Sequence, residues 1–434
     1  MEARVNATYP FKFGTLVVAL GVLQGTLSSP AGAQEPTRRI ALTEAVSMFG
    51  ENNLALRLAR SELDERVGEA RQSRAYFNPT VSVWYETLDG APSSGTDAYD
   101  ETLLSLDQRL EWPGRTAARL RGAARRIESA RERFDADSLT LAFDVQRAFL
   151  DAAFAEEEET ILAEATGLLR EVIGDAETRF EDGDLSGYDL RRLRLELARY
   201  EGALASAELR LDAVRSTLTR LLQPELRGET LAPDSLPRTT PPPISETQAL
   251  SAIDHRPDIS TAALDVEAQR AAAQVASMSW IPDVTVSGGY KDQSDGLSGP
   301  VVGASLSLPF LDRRRGLSQA SEARHAASVS RLALTRRIGE MDLASRHARY
   351  ASVLDRTERV GAALLGDADL LLSAAKVSYA EGEMTLLELL DAVDADRDAR
   401  LISSRLRTEA WIAYFDLVRA MGGQTPRHTE GDER

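Results

Sequence analysis

The chain of 434 residues contains no cysteine. Disulfide staples, thiolate chemistry and a lipid carried on a cysteine are therefore excluded, and stability must come from packing or assembly. Only four histidines are present. His255, His325, His347 and His428 are scattered, and none has a ligand-like neighbour four residues on, so no metal site and no cofactor is expected. There is no nucleophile–base motif, no P-loop and no HExxH segment, which argues against an enzyme. Beyond the N-terminal region no stretch is apolar for about 18 residues, so no transmembrane helix is expected. Bases are outnumbered, 51 Lys+Arg against 68 Asp+Glu, for a net charge of −17. That balance excludes nucleic acid as a partner.

What the sequence does contain begins with "FGTLVVALGVLQGTL", Phe13 to Leu27. It follows Arg4 and Lys12 and precedes the small residues Ala31–Ala33, the pattern of a cleaved signal peptide over 1–33. Removing Glu2, Arg4 and Lys12 with it leaves the exported chain slightly more acidic. The remainder is rich in Ala, Leu, Arg and Glu and only 6% aromatic, a mixture that favours long helices.

In chain order, one helix is expected from Leu42 to about Tyr76, with Thr43 as cap. Asn78-Pro79 breaks it. "TVSVWYETL" (80–88) and the segment 103–112 alternate apolar and polar residues and read as two strands around a Gly/Ser/Pro loop. From Arg115 to Arg179 no proline occurs, so a long helix is expected, ending in a turn at 182–187. The following helix carries a 3–4 spaced seam from Leu190 through Leu193, Leu197, Tyr200, Leu204, Ala207, Leu211, Val214 and Leu218 to Leu221. Six prolines between Pro224 and Pro243 mark a connection, 224–244. The order then recurs: helix, strands at 283–291 and 300–309, a long proline-free run, a turn at 381–386 and a final helix. Residues 34–223 and 245–422 read as two structural repeats, with a polar tail at 423–434.

The two turns are alike in detail. "FEDGDLSGYDL" from Phe180 and "YAEGEMTLLEL" from Tyr379 each place Gly (Gly183, Gly382) three residues after an aromatic, and an acid six residues after the Gly. Both glycines suit left-handed helix C-caps.

The four strands have lengths suited to crossing a bilayer, about nine to eleven residues. Tyr76, Phe77, Trp112 and Trp280 fall at their helix-side ends, as an aromatic girdle would. Strands in lipid need every edge paired, and four are too few to close, so several chains must share one barrel. Ser82, Glu86, Asp107, Arg109, Glu111, Thr285, Ser287, Ser305 and Ser307 would face its lumen.

The repeated plan, the paired turns and "HRPDI" at His255 together resemble the TolC-type outer-membrane efflux factors. "LEWPGRTAARLRGA" from Leu110 and "LPFLDRRRG" from Leu308 are similar to segments of the CzcC-like heavy-metal branch. The resemblance implies a mostly α fold with a transmembrane β part: a homotrimer with a twelve-strand barrel in the outer membrane on a periplasmic α-helical tunnel. It implies a periplasmic adaptor at the helical tips (Phe180, Gly183, Tyr379, Gly382), an inner-membrane RND pump and contact with outer-membrane lipid. The function implied is a passive exit duct for heavy-metal cations. It also implies a tunnel constriction at Glu388 and Asp391. Met384 stands where the drug-efflux branch often has an arginine that ties the closed tip, so closing links must differ here. Glu388, Asp391, Asp394 and Asp398 share one helix face and read equally as a solvated acidic face. A duct for drugs or organic solutes, a type I secretion duct and a soluble periplasmic coiled-coil adaptor are the alternative readings.

Overall fold

A computed structural model describes residues 37–88, 99–222, 230–309 and 311–424. The expected signal peptide, most of the loop after the first strand and nearly all of the polar tail lie outside the described residues.

The described chain is mostly helical. Strand β1 (Thr37–Ile40) leads into α1 (Leu42–Asn52) and α2 (Leu54–Gln72). The single helix expected from Leu42 is thus two. Asn53 leaves helical geometry and its carboxamide oxygen accepts from the amides of Ala55 and Leu56, a side-chain cap that restarts the helix. Thr43 is not the cap of α1: Ala41 holds that position without a side-chain bond.

Strands β2 (Thr80–Leu88) and β3 (Tyr99–Leu110) form an antiparallel hairpin. Helix α3 (Pro113–Glu181) then runs unbroken for 69 residues, roughly 100 Å at 1.5 Å per residue. Pro113 occupies its first turn, where a missing N–H costs nothing. Helix α4 (Gly187–Leu222) returns alongside it. The expected seam is largely what packs: Leu190, Leu193, Tyr200, Ala207, Leu211 and Leu218 are buried, while Leu197, Leu204 and Val214 are half-buried. At the end of the helix Leu222 is buried in place of Leu221.

The proline-rich connection contains β4 (Thr230–Pro233), which pairs parallel with β1. Its continuation is tied down at three points. Trp411 Nε1 donates to the Thr239 carbonyl at 2.9 Å, the Tyr350 hydroxyl donates to the Pro242 carbonyl at 2.5 Å, and His347 Nε2 meets the Ile244 carbonyl at 2.9 Å.

The second half begins with α5 (Glu246–Ser251), a 3₁₀ turn and α6 (Pro257–Ser277). Strands β5 (Val284–Gln293) and β6 (Ser298–Leu306) follow. The expected long run is α7 (Arg315–Arg356), a π-helical turn (Thr357–Gly361) and α8 (Ala362–Ala380). There the Thr357 hydroxyl bridges the Val353 carbonyl of its own helix and the Leu406 carbonyl of α9 (Leu386–Ala420).

The four long strands form one antiparallel sheet in the order β2-β3-β5-β6. Its register puts Val81, Val83, Tyr85, Leu104, Leu106, Val284, Val286, Tyr290, Val302 and Leu306 on one face. Ser82, Trp84, Glu86, Ser105, Asp107, Arg109, Thr285, Ser287 and Ser305 share the other. The apolar face is uncovered: Val83 is 68% exposed and Val302 83%. The outer edges of β2 and β6 pair with no other strand among the described residues.

Candidate functional site: the strand sheet and the helical tips

Two places carry the candidate residues, one at each end of the long helices.

At the sheet, the girdle residues Tyr76, Phe77, Trp112 and Trp280 all stand at the helix-side end of the strands, and all are exposed. Phe77 lies under the Arg109 guanidinium, 4.4 Å from its ring centre. On the polar face, Asp107 accepts from the hydroxyls of Ser82 and Ser105, both at 3.3 Å. Glu86 is exposed opposite Glu101, and Glu101 is paired with Lys291. Glu111 departs from the expected lumenal role. It lies past the end of β3, its side chain is 9% exposed, and its carboxylate takes Arg119 Nη2 at 2.8 Å and the Thr116 hydroxyl at 2.9 Å. An acid one residue beyond a strand is captured by the helix that follows.

Arg115 locks the same junction. It is buried, and its guanidinium donates to Asp283, to the Met278 carbonyl and to the Ile281 carbonyl. It thereby ties the start of α3 to the segment leading into β5. Alternation along strands gives no hint of this residue; "WPGR" placed it on a helix start.

At the other end, Gly183 and Gly382 adopt φ of +85° and +77°. Each follows a helix whose last turn is closed by an amide five residues on: Asp184 to the Arg179 carbonyl at 2.8 Å, and Glu383 to the Ser378 carbonyl at 2.9 Å. That is the left-handed glycine cap with its i→i−5 bond. The helices then restart with matching side-chain caps. The Ser186 hydroxyl accepts from the Asp189 amide at 3.1 Å, and the Thr385 hydroxyl from the Glu388 amide at 3.4 Å. Tips of both hairpins share one apolar core that includes Leu169, Val172, Leu193, Tyr379, Leu389 and Val393. The two aromatics differ within it: Tyr379 is buried beneath Arg179, whereas Phe180 is 44% exposed.

The four acids after the second turn do not act alike. Glu388 turns back on its own helix: its carboxylate accepts the Thr385 amide at 2.8 Å and the Thr385 hydroxyl at 2.7 Å. Those two bonds hold its pKa below the ordinary carboxylate value. Asp394 accepts from the Tyr200 hydroxyl of α4 and pairs with Arg397 at 2.8 Å. Arg397 also reaches Asp398 at 2.9 Å and stacks 4.7 Å from the Tyr200 ring centre. Burial and the bond to Asp394 push the Tyr200 phenol well up. Asp391 is exposed and has no ion pair among the described residues. The capping role of Glu388 was readable in advance as Thr-x-x-Glu, matched by Ser-x-x-Asp in the first turn. Among the described residues no group of three or more His, Asp or Glu is placed to hold a metal ion, and no helix is long and apolar enough to cross a membrane.

"HRPDI" is a clasp. Arg256, the N-cap of α6, donates to Asp258, to Asp342 of α7 and to the Ala420 carbonyl at the end of α9. Burial pushes the Asp342 carboxyl up, but the hydrogen bonds and charges of Arg346 and Arg256 outweigh it and leave its pKa lowered. Gly422 seals the contact: at φ +75°, it lies so close to the His255 carbonyl that any side chain would collide with it.

Similarity to known proteins agrees with this architecture. The cobalt-zinc-cadmium resistance protein CzcC of Cupriavidus metallidurans is 24% identical over 407 residues, spanning 92% of this chain and 94% of CzcC. The nickel-cobalt-cadmium resistance protein NccC of Alcaligenes xylosoxydans is 26% identical over 318 residues, 73% of this chain and 70% of NccC. Among solved structures, CusC superposes with a TM-score of 0.73 at 18% identity, covering 92% of this chain and 96% of CusC. The outer membrane protein VceC of Vibrio cholerae superposes with 0.70 at 18%, covering 88% and 96%. The sequence profile of the outer membrane efflux proteins matches twice, over residues 45–222 and 250–423. The chain belongs to the outer membrane efflux protein family.

Proposed function

We propose that three copies of this chain form one duct across the outer membrane, and that it releases heavy-metal cations. The observation that carries the reading is the four-stranded sheet with a bare apolar face and two unpaired outer edges. In water such a face and such edges are liabilities. In lipid the face is at home, but the edges are not, because each unpaired backbone group costs several kcal/mol there. Joining β6 of one copy to β2 of the next removes every edge, and three copies give twelve strands. The polar face then lines the lumen, and the long helices extend as a periplasmic tunnel built from two copies of one structural unit. An adaptor at the tips and an RND pump in the inner membrane would deliver the cargo, which this chain passes without chemistry. The metal reading follows from the likeness to CzcC and NccC, whose names state resistance to cobalt, zinc, nickel and cadmium.

Asp391 is the tunnel-facing acid best suited to a constriction, with Glu388 adding negative field while it caps α9. In a narrow threefold ring, unpaired carboxylates are weakly screened and favour cations. The assembly is tested by the native mass of detergent-extracted protein; a stable monomer overturns it. The cargo is tested by growth of a deletion strain on zinc, cobalt, cadmium and nickel. Unchanged tolerance to all of them, with new sensitivity to organic drugs, would move the reading to the drug-efflux alternative.

A further inference from the structure

The connection from β6 to α7 differs from the rest of the molecule. Arg313, Arg314 and Arg315 are consecutive, all exposed, and none has an ion pair among the described residues. At the sister junction, by contrast, Arg109, Arg115 and Arg119 are each matched to a carboxylate. Two of the three line an open groove of about 650 Å³. Its other walls include Trp280, Pro282, Leu308 and Pro309, and no acid contributes to it. Leu311, in the same connection, is 91% exposed. Arg314 holds a left-handed φ of +51°, unusual for a residue with a side chain, with its amide tied to Asp312 Oδ1 at 2.8 Å.

The groove's place defines its occupant. It opens where β5 begins and β6 ends, directly below the exposed apolar face. If that face lies in lipid, as proposed above, the groove is level with the headgroups on the helix side. Apolar walls with a cationic rim fit an acyl chain beneath a phosphate. If β6 of one copy pairs with β2 of the next, the segment preceding β2, with Arg74, Tyr76 and Phe77, comes near the groove and adds a cation.

We infer that the groove between Trp280 and Arg313–Arg315 is a binding site for an anionic phospholipid. The phosphate is held by Arg313 and Arg315, and Leu308, Pro309 and Trp280 flank the chain. The inference depends on the strands crossing the membrane, and the test separates the two.

Full-length protein is reconstituted into vesicles of phosphatidylethanolamine with phosphatidylglycerol, recovered in mild detergent, and its retained lipid counted by native mass spectrometry. Wild type is expected to keep phosphatidylglycerol in preference to phosphatidylethanolamine. Losing two headgroup-level cations in Arg313→Gln/Arg315→Gln should lower that retention roughly twentyfold. Arg337→Gln, on an exposed face of α7, should leave it unchanged. Equal retention by the double variant, no preference between the two lipids, or displacement by inorganic phosphate alone each overturns the site. So does a double variant whose only defect is a weakened oligomer, which makes the groove a subunit contact. Failure of wild type to float with the vesicles overturns the membrane reading itself.

Discussion

Asn53 and Arg256 do the same work in the two halves with different chemistry. Each is the N-cap of the helix that leads towards a strand pair. Each reaches across to a carbonyl near the end of the returning helix: Asn53 Nδ2 to Leu221 at 2.8 Å, and Arg256 Nη1 to Ala420 at 3.2 Å. A neutral carboxamide needs no counter-charge, so the first clasp stands alone. The guanidinium does, so the second recruits Asp258 and Asp342. Similar divergence marks the strand–helix junctions. The first is closed by Arg115 and Arg119; the second leaves three arginines without carboxylates. It marks the long helices too, with α3 unbroken and its counterpart interrupted at Thr357–Gly361. The two clasps reach equivalent carbonyls, but the side chains that make them, and the continuity of the long helices, differ.

That contrast can be broken most visibly at the junctions. Arg115→Ala leaves two carbonyls and one Asp283 oxygen without their buried partner, while Arg109 still pairs with Asp283, and should cost about 2–3 kcal/mol. Arg313→Ala should stay within about 0.5 kcal/mol, since nothing in the fold leans on it. Thermal unfolding of the detergent-solubilised protein measures both, and equal losses would erase the distinction.

Glycines come next. Gly422→Ala combines a left-handed backbone with a collision against the His255 carbonyl and should sharply lower folded yield. Gly183→Ala meets open space and should cost only the left-handed penalty, about 1–2 kcal/mol.

A smaller effect separates the clasps by pH. Asp342 has a lowered pKa, so its contribution is present above its ordinary value of 3.8 and is lost as pH falls through the folded value. Asp342→Asn should therefore destabilise at pH 7, and the gap to wild type should close in acid. Asn53→Ala should cost about 1 kcal/mol at either pH, because no proton is involved. Melting curves at pH 7 and in acid decide it.

Smallest is the pair of tip acids. Glu388→Gln should lower the melting temperature slightly, and less so in acid, because the lowered carboxylate loses its bonds to Thr385 only on protonation. Asp391→Asn should not change stability, yet should reduce cation preference in bilayer conductance. If Glu388→Gln alone alters selectivity, the division between capping and lumenal acids fails.

Much of the fold was legible because its signals are periodic. Alternation marks β2, β3, β5 and β6, the 3–4 seam marks α4, and glycine in an aromatic-x-x-Gly setting marks both tips. What stayed hidden depends on single side chains meeting distant backbone. Asn53 splits a helix that periodicity continues straight through. Glu111 obeys strand alternation but is taken by Arg119. β1 and β4 are four residues each, too short for any period to show. The π-helical turn has no proline or glycine pair to announce it, only a threonine bridging two carbonyls. The candidate site divided the same way: spacing put Glu388 and Asp391 on one face, but only coordinates could send one carboxylate to its own helix end.

The β1–β4 pair has a consequence in time. Arg39 meets the Pro233 carbonyl 194 residues further along, and the strands around it run parallel. An exported chain emerges N-terminus first, so β1 is present well before the strand it needs. Meanwhile α3 and α4 have all their contacts to each other within reach. The hairpin can therefore set early, while the β1–β4 pair that packs on it is delayed until β4 has emerged. During that interval β1 offers a bare strand edge to any neighbour, and nascent chains crowded together would exchange it before they fold.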